Sequence, residues 1–399
     1  MTPSDRGGRP RHRRQWASRL DSPWATGLVT LAGASAFVLL RLALAAKGRI
    51  SHFVLAAPPY SHAGRVPRAL ELIHGIGYDG QFYFRLALDP ADLHHTAYGI
   101  TLDAPFRLER IAYPALSWLL ALGRPGAVVW SLVAVNVLSL TALGAMAGVL
   151  ARRSGRHALW GLLLVGFSGF VFSLGRDLTE PLAAAAMVGG LLASRQRRPV
   201  LAGAAFTVGV LSRETVLVAA GALGVVRLVE MARGRARPGR ADAAWALPLV
   251  AFAGWQLVCW AETSTVPFAS NLRDNSGALL RPLLHALSSS LGQLSPHHAA
   301  VDIWLVELAV LALFVAAALW SVRASEAPPH ERLALVLYAL GMCTYSAYVW
   351  GDHNDLRTLV EPYLFAVVVL LGTRRRLGVL AVVLLVPLAL GAGHRVLSL

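Results

Sequence analysis

Long apolar runs separated by short arginine clusters limit this 399-residue chain to few folds. Apolar runs of this length, each bounded by a charge or turn cluster, predict an all-α, polytopic transmembrane helical bundle. Composition agrees: 56% of the residues are hydrophobic and 15% charged, well below the quarter usual in soluble domains. The net charge of +15 is spread over short clusters between apolar runs, a topology signal that argues against a nucleic-acid partner. Both cysteines, Cys259 and Cys343, fall within apolar runs, which supports neither a disulfide framework nor a thiolate metal site.

Residues 1–23 read as a basic, disordered cytoplasmic tail, and 24–399 as one transmembrane domain. The first run, Trp24 to Ala46, is long for a signal-peptide core and reads as a retained signal-anchor helix. Further spans are expected at 127–150, 158–174, 180–194, 199–211, 215–229, 243–261, 301–322, 333–350, 357–372 and 377–393, about eleven in all. Placing the N-terminus in the cytoplasm puts every strong basic cluster inside, from Arg152/Arg153/Arg156 to Arg374/Arg375/Arg376, and leaves the C-terminus outside. The run from Ile111 to Leu122 is too short to span and reads as an interfacial helix of a large first outer loop, 48–126. Between Arg198 and Arg227 only 28 residues remain for a hairpin. Each arm is then about 20 Å long against a hydrocarbon core of about 30 Å. Its tip, Arg213-Glu214, stops short of the outer surface and requires a cavity reaching down to it.

The first outer loop carries Gly77-Tyr78-Asp79-Gly80-Gln81-Phe82-Tyr83-Phe84-Arg85. Here two glycines allow a sharp turn and close ligand approach around one carboxylate, beside amphipathic aromatics. A plain Asx turn is the simpler reading of the same residues. Arg176-Asp177-Leu178-Thr179-Glu180-Pro181 reads either as a helix start capped by Thr179 or as part of a site. Arg213-Glu214 reads as a mutual or tertiary ion pair closing the hairpin tip or as functional intramembrane charge. Arg357 and Glu361, four apart on one helix, suggest a local salt bridge. His353, between Asp352 and Asp355, suits a solvated loop cluster better than a metal site.

Together, Tyr78-Asp79-Gly80-Gln81-Phe82-Tyr83, Arg110-Ile111-Ala112-Tyr113-Pro114, Arg176-Asp177-Leu178-Thr179-Glu180-Pro181 and Leu211-Ser212-Arg213-Glu214-Thr215 resemble bacterial cell-surface glycopolymer formation proteins. These look in turn like GT-C glycosyltransferases, and more distantly like PIG-V-type mannosyltransferases. The resemblance implies a GT-C-like fold with juxtamembrane helices in the first outer loop and Asp79 as catalytic acid or base. The donor would be a polyprenyl-phosphate sugar and the acceptor a glycan or lipid-linked saccharide, with transfer at the outer face of the inner (plasma) membrane. Tyr78, Gln81, Tyr83, Arg85, Arg176, Asp177, Glu180, Arg213, Glu214, His353 and Arg357 are the candidate substrate contacts. Asp79 lacks the second carboxylate of an Asp-X-Asp motif, so no metal or other cofactor is assigned, although a divalent metal is compatible with the family. A transporter or flippase of lipid-linked saccharides, or a non-catalytic subunit of a glycan assembly complex, is the alternative.

The topology has a direct check. In intact cells with an accessible outer face, a Gly64→Cys substitution should react with an impermeant thiol reagent. Labelling only after lysis would invert the orientation.

Overall fold

The computed structural model describes residues 21–294, 298–351 and 356–398. The expected basic tail lies almost wholly outside the described residues, and so does His353. Of the described residues, 71% are helical and 2% lie in strands, which makes the fold all-α. Helix α1 (Pro23–Leu44) has proline at its first position, where the missing N–H has no intrahelical partner to lose, and the chain leaves it through a left-handed Lys47-Gly48 turn. The long loop that follows holds α2 (Gly80–Leu88), a minimal hairpin of β1 (Thr96–Ala97) and β2 (Ile100–Thr101), and α3 (Ala112–Leu120). Then come α4 (Val128–Arg153), α5 (Leu162–Val165), α6 (Ser168–Leu174), α7 (Glu180–Arg195), α8 (Pro199–Ser212), α9 (Leu217–Ala232) and α10 (Ala243–Thr263). The last part comprises α11 (Pro267–Asn275), α12 (Arg281–Gly292), α13 (Ala299–Ser321), α14 (Pro329–Met342), α15 (Ala347–Gly351), α16 (Val360–Leu371) and α17 (Gly378–Leu397).

Among the described residues, six helical segments are long and apolar enough to cross a membrane: Pro23–Leu44, Pro125–Arg153, Glu214–Ala232, Arg240–Thr263, Ala299–Ser321 and Gly378–Leu397. That is the architecture of a multi-pass membrane protein. The other five expected spans are shorter or interrupted. The stretch 158–174 is a 3-10 turn followed by α5 and α6, parted at Gly166-Phe167. Phe167 is extended there, and its ring stacks on Tyr363 at 4.6 Å between centroids. A side chain at Gly166 would run into Leu384. Tertiary packing therefore breaks a run whose composition is uniformly apolar. The stretch 333–350 is likewise divided into α14 and α15. Helix α16 is buried at every residue and packs against α13 and α14, so it forms the interior of the bundle.

Short contacts between helices rely on small residues. Helix α1 lies along α4, where a Cβ on Gly148 would come 2.8 Å from Thr26 Oγ1. Such close approach suits apolar surroundings, in which packing replaces the hydrophobic drive between helices. Helix α8 is held between α7 and α10.

The first loop is no appendage. Every residue of α2 is buried, and Phe53, Phe82, Tyr83, Phe84 and Tyr113 form a second core with Val128, Leu132 and Val135 at the start of α4. Helix α3 leaves Trp118, Leu119 and Leu120 largely exposed, an apolar face on a nine-residue helix. Two glycines seat the Asp79 turn. Gly77 has φ +73 and faces the Leu55 carbonyl, and Gly80 lies against the carbonyls of Arg176 and Val54. A Cβ on Gly80 would come 2.7 Å from Val54 O and nearer still to Arg176 O, both backbone atoms that cannot step aside.

Gly80→Ala should therefore destabilise the protein by about 1–3 kcal/mol. The control, Gly126→Ala, meets nothing within 4 Å and should be close to neutral. Thermal unfolding of both variants in detergent checks this; equal midpoints would mean that the turn is not wedged as described.

Candidate functional site

Asp79 precedes the first turn of α2, and its side chain is buried. One oxygen, Oδ2, accepts from Arg357 Nη2 at 2.7 Å and pairs with Arg107 Nη1 at 2.8 Å. Arg107 is fixed by a bidentate grip on Asp103, with both contacts at 2.8 Å, and by the rings of Phe82 and Phe106. Arg357 extends the chain of charges: its Nη1 donates to Glu180 Oε1 at 2.6 Å, and its Nε to the Tyr78 hydroxyl at 3.2 Å. Glu180 also accepts from Arg213 Nη1 at 2.9 Å and from Ser173 Oγ at 3.1 Å. Arg213 pairs with Glu361 at 3.2 Å and donates to the carbonyls of Arg357 and Thr358. Beside this chain, Arg110 grips Glu214 with Nε at 3.1 Å and Nη2 at 3.0 Å, and its Nη1 reaches the Tyr83 hydroxyl.

A cavity of about 290 Å³ opens onto these groups. Asp79, Arg107, Arg110, Arg213, Glu214 and Arg357 line its charged wall. Tyr338, Tyr345, Asn271 and Asn275 add hydroxyls and amides, while Leu217 and Val218 of α9 and Leu337 of α14 form an apolar wall. Arginines, amides and aromatic hydroxyls suit a phosphate and a sugar, and the apolar wall suits a lipid.

Of the mutual and tertiary pairings open to Arg213 and Glu214, the tertiary ones form, with Glu180, Glu361 and Arg110. Two local pairings expected from sequence are replaced by tertiary ones. Arg357 reaches Asp79 and Glu180, and Glu361 takes Arg213 and the Thr215 hydroxyl. Thr179 occupies the cap position of α7 without a side-chain cap bond, and Glu180 turns from that helix end into the ion-pair chain. A buried carboxylate is held most strongly by guanidinium groups, which outcompete a weaker local cap.

Of the candidate substrate contacts, Tyr78, Tyr83, Glu180, Arg213, Glu214 and Arg357 gather with Asp79. Four do not. Gln81 accepts from Ser61 Oγ at 2.8 Å and from the Ala57 amide, which pins the outer loop instead of facing the cavity. Arg85 is buried on the far side of α2, donating to the His94 carbonyl and lying 3.6 Å from Asp92. The guanidinium of Arg176 lies over the rings of Phe172 and Tyr78, on a side of the turn that does not line the cavity. Asp177 has φ +50 and is fully buried, with no hydrogen bond to its carboxylate among the described residues and Arg41 as its electrostatic neighbour.

Arg107, which lines the cavity, and Glu109, behind it, are not singled out in the sequence; Arg110 stands in one of the motifs but is not among the candidate substrate contacts. Glu109 is buried, accepts from Asn271 and neighbours Glu214; burial and that second carboxylate push its pKa well up. Arg107 stands four residues after Asp103, a spacing that could have marked the pair. Among the described residues, no group of three or more His, Cys, Asp or Glu side chains is arranged to hold a metal ion.

No family model matches the chain, and no curated protein or solved structure shows significant similarity to it.

Burial by itself would raise the pKa of Asp79, but Arg107 and Arg357 outweigh it and hold the carboxyl at about 2. Because the folded value is depressed, this stabilisation is fully present above the unfolded value of about 4 and is lost as pH falls through about 2. The stability difference between wild type and Asp79→Asn should then be constant near neutrality and shrink from about pH 4 towards about pH 2. Unfolding midpoints measured across that range test it. A difference independent of pH would mean that the charge of Asp79 contributes nothing.

Proposed function

We propose that the chain is a GT-C-type membrane glycosyltransferase that uses a polyprenyl-phosphate sugar. The observation that carries this reading is a single cavity in which a buried carboxylate, four arginines and an apolar helix wall meet. In the proposed reaction an acceptor hydroxyl of a glycan or lipid-linked saccharide attacks the anomeric carbon. The new C–O bond forms as the bond to phosphate breaks, the acceptor proton passes to Asp79, and polyprenyl phosphate leaves as an anion. Inversion at the anomeric carbon follows from this single displacement. Leaving-group charge would fall to Arg357 and Arg213, where a preorganised guanidinium in a dry site contributes most.

At rest Asp79 is a poor base, because two guanidinium groups stabilise its anion. A donor phosphate would compete for Arg357, and each contact that it takes from Asp79 makes the carboxylate more basic. Donor binding would thereby prepare the base before the acceptor reacts. The five shorter apolar segments would complete an eleven-span bundle in the inner membrane, with the cavity on the outer face and the N-terminus in the cytoplasm.

The second reading is a non-catalytic subunit of a glycan assembly complex, favoured by the two ion pairs that occupy Asp79. One experiment separates the two: transfer from a polyprenyl-phosphate sugar by purified protein in nanodiscs, at matched abundance. Asp79→Asn should lower turnover by about 10²–10⁴. Arg357→Lys keeps the charge and loses the forked geometry, so it should weaken donor use while leaving the fold intact. Equal turnover in wild type and Asp79→Asn would remove Asp79 as base, and activity with a nucleotide sugar alone would remove the lipid donor.

A further inference from the structure

The opposite end of α8 from Arg213 carries a second, separate concentration of positive charge. Two adjoining cavities meet there. One, of about 600 Å³, is lined by Arg197, Arg227, Glu230, Trp245 and His330, and the other, of about 710 Å³, by Arg197, Arg198, Arg240, Val200 and Leu201. Arg197 and Pro199 belong to both. The acidic groups nearby are already engaged: Asp242 pairs with Arg227 at 3.1 Å, Glu230 lies 3.7 Å from the same guanidinium, and Glu331 is held by Arg195. Among the described residues, no carboxylate pairs with Arg197, Arg198 or Arg240.

Two further features point to a ligand. His330 is 9% exposed and lines the first cavity; its Nε2 lies 4.0 Å from Glu331 Oε1 and makes no hydrogen bond among the described residues. The first turn of α8 begins at Pro199, so its free amides add the positive end of a helix dipole between the arginines. Beyond this charged pocket, Val200 and Leu201 are about half exposed at 51% and 54%, on a helix of apolar composition. An unneutralised arginine cluster that continues into an exposed apolar face has the charge and shape of a complement to an acidic lipid.

We propose that these cavities hold one anionic phospholipid, its phosphate among Arg197, Arg198 and Arg240 and an acyl chain along Val200 and Leu201. The site is independent of the sugar-transfer reading, since it lies at the far end of α8 and shares no residue with the Asp79 cavity. The lipid would belong to the leaflet met by the arginine-rich face and would tie α8 to α9, α10 and α14.

Native mass spectrometry of the full chain, purified from equal phosphatidylglycerol and phosphatidylcholine, tests the proposal. Wild type should retain phosphatidylglycerol in preference by about tenfold or more, at roughly the strength expected of two or three arginines near a surface. The double variant Arg197→Gln/Arg240→Gln should lose that preference, and the control Arg152→Gln/Arg153→Gln, on the same face, should keep it. Unfolding midpoints in detergent confirm that both variants are folded. The proposal is overturned by equal retention of the two lipids, by an unchanged preference in the double variant, or by equal loss in the control, which would indicate general surface attraction. Displacement by soluble glycerol phosphate would assign the cavity to a free phosphate and overturn the lipid.

Discussion

The ion pair between Asp79 and Arg357 is the interaction on which the site side of the molecule depends. Both groups are buried, and an unpaired charge in that position would cost several kcal/mol. Each therefore constrains the other's backbone, and through Glu180 and Arg213 the constraint reaches the starts of α7, α9 and α16. Segments separated by up to 278 residues are held in one register by guanidinium contacts. Such a network adds little net stability compared with an apolar filling of the same space. It does, however, punish any arrangement in which one member is missing, and so favours one geometry of the cavity wall.

Part of this was legible in the sequence. Arginine clusters and apolar runs mark about eleven expected spans, six of which are helices long and apolar enough to cross a membrane, because boundary charge and apolar composition are local properties while helix length is not. The arithmetic of the 198–227 hairpin holds for α8, which has 14 residues, but fails for the second arm, since Glu214–Ala232 continues past Arg227 and is long and apolar enough to cross. Other features were not accessible, for a common reason. Arg357 and Glu361 look like a helix pair at four-residue spacing, but each meets a stronger partner from a distant segment. The break at Gly166-Phe167 depends on Tyr363 and Leu384, which no window around residue 166 contains. Arg107 carries no local signal of burial beyond its spacing from Asp103, and Arg110 shows none beyond its motif; their burial follows from Phe82 of α2 and Phe106 closing over them. Arg85 shows the opposite error, since proximity to Asp79 in sequence puts it on the other side of a helix.

The network also shapes the chemistry proposed for it. With sequence alone, Asp79 acts on the acceptor and has no reason to affect donor binding. In the structure its carboxylate already occupies Arg357, the cation proposed for the donor phosphate, so on the proposed reading donor and base would compete for one guanidinium. A site arranged in this way would keep the proposed base quiet until an anion arrives and would protect a bound acceptor from unproductive chemistry. Arg107 stays with Asp79 through its grip on Asp103 and would keep the freed carboxylate in place.

The most direct test of this account is the affinity of purified protein for polyprenyl phosphate, measured in nanodiscs for wild type and for Asp79→Asn. If carboxylate and phosphate compete for Arg357, removing the carboxylate charge should tighten binding by about tenfold, the size expected for one charged hydrogen bond. Unchanged or weaker binding to a folded Asp79→Asn protein would contradict the account, because it would place the phosphate away from the Asp79–Arg357 pair.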